Sequence, residues 1–154
     1  MNKFLNEIEG KVLIVGIGNP LRGDDAVGSY IVKSLTKSNI NAVLVDCEEQ
    51  PERYIEKIIH NEPDTILFID ALHMNQKPGS VAFLKEDNLQ NHGISSHQTN
   101  LKMCINYIKS KSKSKILIIG IQPANTEFGQ GMSEQVLNTA EILKNLLISR
   151  LSKG

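Results

Sequence analysis

Four short apolar runs, Val12 to Ile17, Ala42 to Val45, Thr65 to Ile69 and Ile116 to Ile121, alternate along the chain with segments whose apolar residues recur at helical spacing. Runs so rich in Val, Ile and Leu suit strands buried on both faces, the mark of a parallel sheet. Between them, Asp25 to Leu35 carries Val27, Ile31 and Leu35 four apart, Glu52 to Ile59 carries Ile55, Ile58 and Ile59, and Leu101 to Ile108 carries Leu101, Cys104, Ile105 and Ile108. Strands alternating with amphipathic helices imply a doubly wound α/β fold. A further strand is expected over Ser80 to Leu84, after the turn signal Lys77-Pro78-Gly79. Its connection from the preceding strand is too short for a helical crossover, which places it at an antiparallel edge. The last helix is expected from Ser133 to about Leu151, with Ser133 at its N-terminus and Val136, Leu137, Ala140, Leu143, Leu147 and Leu151 on one side.

At 154 residues the chain reads as a single domain, 1–154, large enough to bury about two thirds of its unfolded surface. Seventeen basic and seventeen acidic residues cancel, so net charge steers the chain toward neither nucleic acid nor an anionic membrane. The first ten residues carry acids and no apolar core, and no apolar run reaches membrane-spanning length. A cytoplasmic location without membrane contact is therefore expected. Cys47 and Cys104 lie far apart and outside any Cys-x-x-Cys pattern, which favours reduced, buried thiols over a disulfide or a zinc site. The alternating Lys-Ser run from Lys109 to Lys115 reads as a solvated loop between a helix C-terminus and the next strand, where lysines suit the helix dipole.

The chemistry collects in the loop Gly16-Ile17-Gly18-Asn19-Pro20-Leu21-Arg22-Gly23-Asp24-Asp25. Gly-x-Gly after a strand suggests a dinucleotide loop, but the third glycine of that fingerprint falls on Leu21. A Walker phosphate loop fails as well, because the position of its lysine holds Asp24 and the next holds Asp25. Two carboxylates there repel phosphate and attract a cation or a proton.

In open parallel sheets, ligands sit beyond the carboxyl ends of the strands where the winding reverses. Three segments bring metal-type ligands to that end: the first strand delivers Asp24 and Asp25, the run Ile66 to Ile69 ends on Asp70, and Gly93 to Gln98 leads into a helix through His97. Two carboxylates and an imidazole suit nickel, zinc, iron or manganese. Each residue has an ordinary reading too: Asp24 or Asp25 as a helix cap, Asp70 as a turn former at a strand tip, His97 as a surface residue behind Ser95 and Ser96. His73 is a competing imidazole, ranked second, and His60 and His92 lack acidic company.

These residues resemble those of the NiFe-hydrogenase maturation endopeptidases, especially the hydrogenase 3 type. The resemblance runs through Gly16-Ile17-Gly18-Asn19-Pro20-Leu21-Arg22-Gly23-Asp24-Asp25-Ala26-Val27-Gly28, Pro51-Glu52, Ile69-Asp70-Ala71, Ser96-His97-Gln98 and Gly120-Ile121-Gln122-Pro123. It implies a three-layer α/β sandwich, a twisted five-stranded, mostly parallel sheet between helices with one antiparallel edge strand. It further implies an endopeptidase that removes the C-terminal extension of the hydrogenase large-subunit precursor after nickel insertion. The metal ligands then correspond to Asp25, Asp70 and His97, and they recognise nickel presented by the precursor. Asp24 is a candidate outer acid or base, no separate organic cofactor is implied, and the chain is expected to act as a monomer. Position 25 is Asp where other branches of the family have Glu, and residues 125–131 match less clearly.

Three other readings compete. A Cys-His hydrolase built on Cys104 and His97 is disfavoured because Cys104 belongs to the apolar stripe of its helix. A nucleotide-binding module is disfavoured by Asp24 and Asp25. A non-proteolytic nickel carrier or regulator on the same fold remains the main alternative.

Overall fold

The computed structural model of the chain describes residues 1–91 and 98–153. Along the chain these form α1 (Asn2–Asn6), β1 (Val12–Gly16), a 3-10 turn (Gly23–Ala26), α2 (Val27–Leu35), β2 (Val43–Asp46), α3 (Ile55–His60), β3 (Thr65–Ala71), β4 (Val81–Lys85), α4 (Gln98–Lys111), β5 (Lys115–Ile121) and α5 (Glu134–Leu151). The strands make one five-stranded sheet in the order β2-β1-β3-β5-β4. β2, β1, β3 and β5 run parallel, and β4 lies antiparallel at the edge beside β5. The expected doubly wound, mostly parallel architecture is therefore the observed one.

Strand alternation divides the apolar residues into two cores, one on each face of the sheet. Val12, Ile14, Leu67, Ile69, Leu117 and Ile119 pack with Val27, Ile31 and Leu35 of α2 and with Val136, Ala140, Leu143 and Leu147 of α5. Leu13, Val15, Ile66, Phe68, Ile116 and Ile118 face Ile58 of α3 and Leu101, Ile105 and Ile108 of α4. Every residue of β1 and β3 is buried, which is why both read as continuous apolar runs in the sequence.

Several boundaries differ from the sequence reading. α1 was not anticipated; it buries Phe4, whose ring sits 4.9 Å from that of Phe83. Asp25 does not open α2, because a 3-10 turn comes first and α2 begins at Val27 with no side-chain cap, so neither Asp24 nor Asp25 caps that helix. β3 runs two residues further than expected, so Asp70 lies inside the strand, paired with Gly120, rather than at its tip. Pairing with β5, which continues to Ile121, carries the ladder past the last large apolar residue. α3 starts at Ile55 because Pro51 to Arg53 form a separate 3-10 turn. α4 extends through Lys111, so the Lys-Ser run is half helix, leaving only residues 112–114 as the link to β5. On α5, Ser133 caps the helix as expected, accepting from the Val136 N–H, whereas Leu137 is exposed and Val136, Ala140, Leu143, Leu147 and Leu151 form the buried stripe.

Candidate active site

The winding reverses between β1 and β3: the chain leaves β1 toward β2 on one side and returns through α3 to β3 on the other. A crevice at the carboxyl ends of these two strands is the expected ligand position in an open parallel sheet. The backbone closes tightly there. The Ile17 N–H donates to the Ile69 carbonyl (2.9 Å) and the Gly18 N–H to the Glu48 carbonyl (2.7 Å). The first turn of α2 comes down on the same spot, and only glycine fits at position 28, where a Cβ would overlap the carbonyl oxygens of Ile17 and Ile69.

Asp25 lies in the turn that follows β1, and Asp70 lies in β3. Asp25 follows β1 within the 3-10 turn, is 2% exposed, and accepts the Asn19 N–H at Oδ2 (3.1 Å) while its own N–H bonds the Arg22 carbonyl (3.0 Å). Asp70 is fully buried, and its Oδ1 accepts the Ala71 N–H (2.8 Å). Strand alternation puts Asp70 on the same face as Ile66 and Phe68, the face covered by α3 and α4. Residues 112–114 join the end of α4 to the start of β5, so α4 runs back along the sheet with its first residue, Gln98, toward the carboxyl end. His97 immediately precedes that residue and lies outside the described residues, as does His92.

Asp24 is also fully buried, but its carboxylate points elsewhere. Oδ2 accepts the N–H groups of Ala124 (2.8 Å) and Asn125 (3.3 Å) and the Ser133 hydroxyl (2.8 Å), and Oδ1 accepts the Ser133 N–H (2.6 Å). Among the described residues, the hydrogen bonds it accepts come from the β5–α5 connection, so Asp24 ties the turn after β1 to that connection. Gly23 belongs to the same tie. Its φ of +53° is the left-handed region that favours glycine, and a Cβ there would stand 2.5 Å from the Asn125 Oδ1. Its constraint therefore comes from the protein's own packing.

Of the other imidazoles, His73 is exposed on the loop after β3, and the His60 Nδ1 contacts the Glu56 carbonyl (2.8 Å) within α3. His60 lines a cavity of ≈ 550 Å³ with Asp64, Lys111 and Ser114 that involves none of the three expected ligands. Beside the Asp25 loop a second cavity of ≈ 290 Å³ is lined by Asn19, Asp46, Glu48, Glu49 and Arg53, so the flank toward β2 is acidic. Among the described residues no three His, Cys, Asp or Glu side chains converge as a metal-holding group; the described part of the expected site is the pair Asp25 and Asp70. Two buried carboxylates are hard oxygen donors of the kind that divalent cations take.

Both thiols are poor nucleophile candidates. Burial, with Asp46 next in effect, pushes the Cys47 thiol up to about 12, and burial with Glu52 pushes Cys104 up to about 11. Both therefore favour the protonated thiol at neutral pH, which speaks against either acting alone as a nucleophile. No helix among the described residues is long and apolar enough to cross a membrane.

Buried carboxylates at the switch point, one in the Gly-rich turn after β1 and one in β3, mark a doubly wound α/β protein whose first loop lacks the features of a nucleotide site. Comparison with known proteins narrows the class. The profile of the HycI hydrogenase maturation protease family matches residues 26–150. A Methanocaldococcus jannaschii protein provisionally named a hydrogenase maturation protease is 36% identical over 147 residues, covering 90% of this chain and 86% of that one. The hydrogenase 3 maturation protease of Escherichia coli K12 is 25% identical over 131 residues, covering 84% and 83%. The crystal structure of the NiFe hydrogenase maturation protease HycI from Thermococcus kodakarensis superposes with a TM-score of 0.87 at 31% identity, over 97% of this chain and 98% of that one. The chain belongs to the hydrogenase maturation protease family.

What the sequence reading missed is the part played by residues 122–133. The signal for it is Asp24, the acid beside the expected ligand Asp25, for which the sequence offers only a helix cap or an outer acid or base.

Proposed function

We propose that this protease removes the C-terminal extension of a NiFe-hydrogenase large-subunit precursor after nickel insertion, and that Asp25, Asp70 and His97 recognise the nickel the precursor carries. The observation that carries this reading is the burial of two carboxylates, Asp25 in the turn after β1 and Asp70 in the neighbouring strand β3, where the winding reverses. Two oxygens and one imidazole leave coordination positions for ligands supplied by the substrate, unlike a closed structural zinc centre. Asp25 and Asp70 bind and orient the incoming cation, and their burial strengthens that attraction relative to water. Recognition of the metal then positions the scissile peptide.

A protein substrate also suits the surroundings. Leu21 and Phe128 flank the Asp25 turn and are 60% and 68% exposed, and the Arg22 guanidinium stands 6.0 Å from the Phe128 ring centroid. Exposed apolar side chains grouped beside a site mark a macromolecular contact. In this reading the enzyme works as a cytoplasmic monomer and takes its metal from the precursor.

The test is cleavage of nickel-loaded precursor by Asp25→Ala and Asp70→Ala proteins. Each substitution removes a donor outright from a site of few ligands, so both variants should lose processing while keeping the native circular dichroism spectrum. Full activity in either variant would remove that residue from the ligand set. If His97→Ala kept activity while His73→Ala lost it, the imidazole would be His73.

A further inference from the structure

We infer that the β5–α5 connection, residues 122–133, is a positioning frame for both carboxylates of the site, with Asp24 and Gln122 as its positioning residues. The inference rests on the reading of Asp25 and Asp70 given above.

One end of the connection grips the turn that carries Asp25. Besides the hydrogen bonds converging on the Asp24 carboxylate, the Asp24 N–H donates to the Asn125 carbonyl (2.8 Å), the Gly23 N–H to the Gln130 carbonyl (3.0 Å), and the Gly129 N–H to the Leu21 carbonyl (2.7 Å). The 21–24 segment is thus stitched to the 125–130 segment by main chain, and Asp24 stitches it to the start of α5. Asp24 and Asp25 are consecutive in one 3-10 turn, so any shift of the first carries the second with it.

The other end grips the loop that follows Asp70. Gln122, the first residue past β5, is 7% exposed. Its Oε1 accepts the Met74 N–H (2.5 Å) and the Gln76 N–H (3.4 Å), and its Nε2 donates to the Pro123 carbonyl (3.0 Å). Its main chain pairs with the same loop, the N–H donating to the Ser80 carbonyl (2.8 Å) and the carbonyl accepting the Gly79 N–H (2.8 Å). One connection therefore holds both the turn that carries Asp25 and the loop that follows Asp70. Site geometry of this kind must hold to about half an ångström, and an error of about 1 Å costs on the order of a hundredfold in rate.

Asp24→Asn keeps the shape but replaces one acceptor oxygen with an N–H2 group, which faces donors on either side of the clamp. Gln122→Leu removes the acceptor for Met74 and Gln76. The control is Leu147→Ala, which opens a cavity between α5 and the sheet far from both loops and lowers the melting temperature without touching the frame. All are made in the full-length chain and assayed on nickel-loaded precursor well below their melting temperatures. Hydrogen exchange is read at the amide of Asn19, which donates to Asp25, and of Ala71, which donates to Asp70.

The expected result for Asp24→Asn is a kcat at least tenfold lower, KM within twofold of wild type, and exchange at Asn19 at least tenfold faster. Gln122→Leu should show the same split with the change at Ala71, and Leu147→Ala should change neither kcat nor these amides. Equal kcat in all three variants, with Asn19 and Ala71 unmoved, would overturn the frame and leave Asp24 and Gln122 as stabilising residues only. If Asp24→Asn fails to fold, Ser133→Ala removes one of the donors to Asp24 and should give a smaller change of the same kind. If the wild type cleaves no precursor, the functional reading falls, and the exchange measurement alone still decides the frame.

Discussion

Ser133 holds both oxygens of Asp24, giving its backbone N–H to one (2.6 Å) and its hydroxyl to the other (2.8 Å), while the same hydroxyl accepts the Val136 N–H (3.4 Å). One side chain thus caps the last helix and anchors the turn beside β1. Ser133→Ala loses a cap, about 1 kcal/mol, and a hydrogen bond to a buried carboxylate, about 1.5 kcal/mol. A fall in melting temperature of roughly 5–10 °C is expected for a chain of this size, measured by calorimetry, with Ser133→Thr recovering most of it.

Gly28→Ala and Gly23→Ala should separate packing from processing. At position 28 the added methyl meets backbone carbonyls that have no freedom to move, and overpacking of this kind costs roughly 1–3 kcal/mol or more. At position 23 the cost is that of a left-handed alanine, about 1–2 kcal/mol, together with displacement of Asn125. Gly28→Ala should therefore lose stability first, whereas Gly23→Ala should reduce cleavage more than it lowers thermal stability. Melting curves alongside initial rates check both.

The buried thiols predict an alkaline weakness. The folded state raises their pKa from 9.0 to about 12 for Cys47 and about 11 for Cys104, so it keeps its protons where the unfolded chain releases them. Their contribution is fully present below pH 9.0 and is lost as pH rises toward about 11 and then about 12. Urea midpoints followed across this range should decline, and the decline should be shallower in Cys47→Ala. Native protein should resist alkylation at neutral pH.

Much of the fold was legible because β1, β3 and β5 are buried on both faces and their composition records it, and because Ser133 and the Val136 to Leu151 stripe follow helix chemistry written in local spacing. What was not legible depends on partners distant in sequence. Asp24 looked like a cap because its real donors, Ala124, Asn125 and Ser133, lie about a hundred residues away. Asp70 looked like a strand tip because its place in the ladder is set by Gly120. Phe4 sits in a helix too short to show periodicity, and its place is fixed by the core it joins, including the ring of Phe83. At the candidate site, residue type and strand position single out Asp25 and Asp70, which are both buried, and His97 lies outside the described residues.

The proposed function has the enzyme reading the nickel held by its substrate through Asp25 and Asp70. The most direct measurement is mass spectrometry of one large-subunit precursor, prepared with and without nickel and incubated with equal amounts of enzyme. The account predicts loss of the C-terminal extension from the nickel-loaded form alone, and its disappearance when Asp25→Ala enzyme is used. Cleavage of both forms at the same rate would contradict nickel recognition, and cleavage of neither would favour a non-proteolytic nickel carrier on this fold.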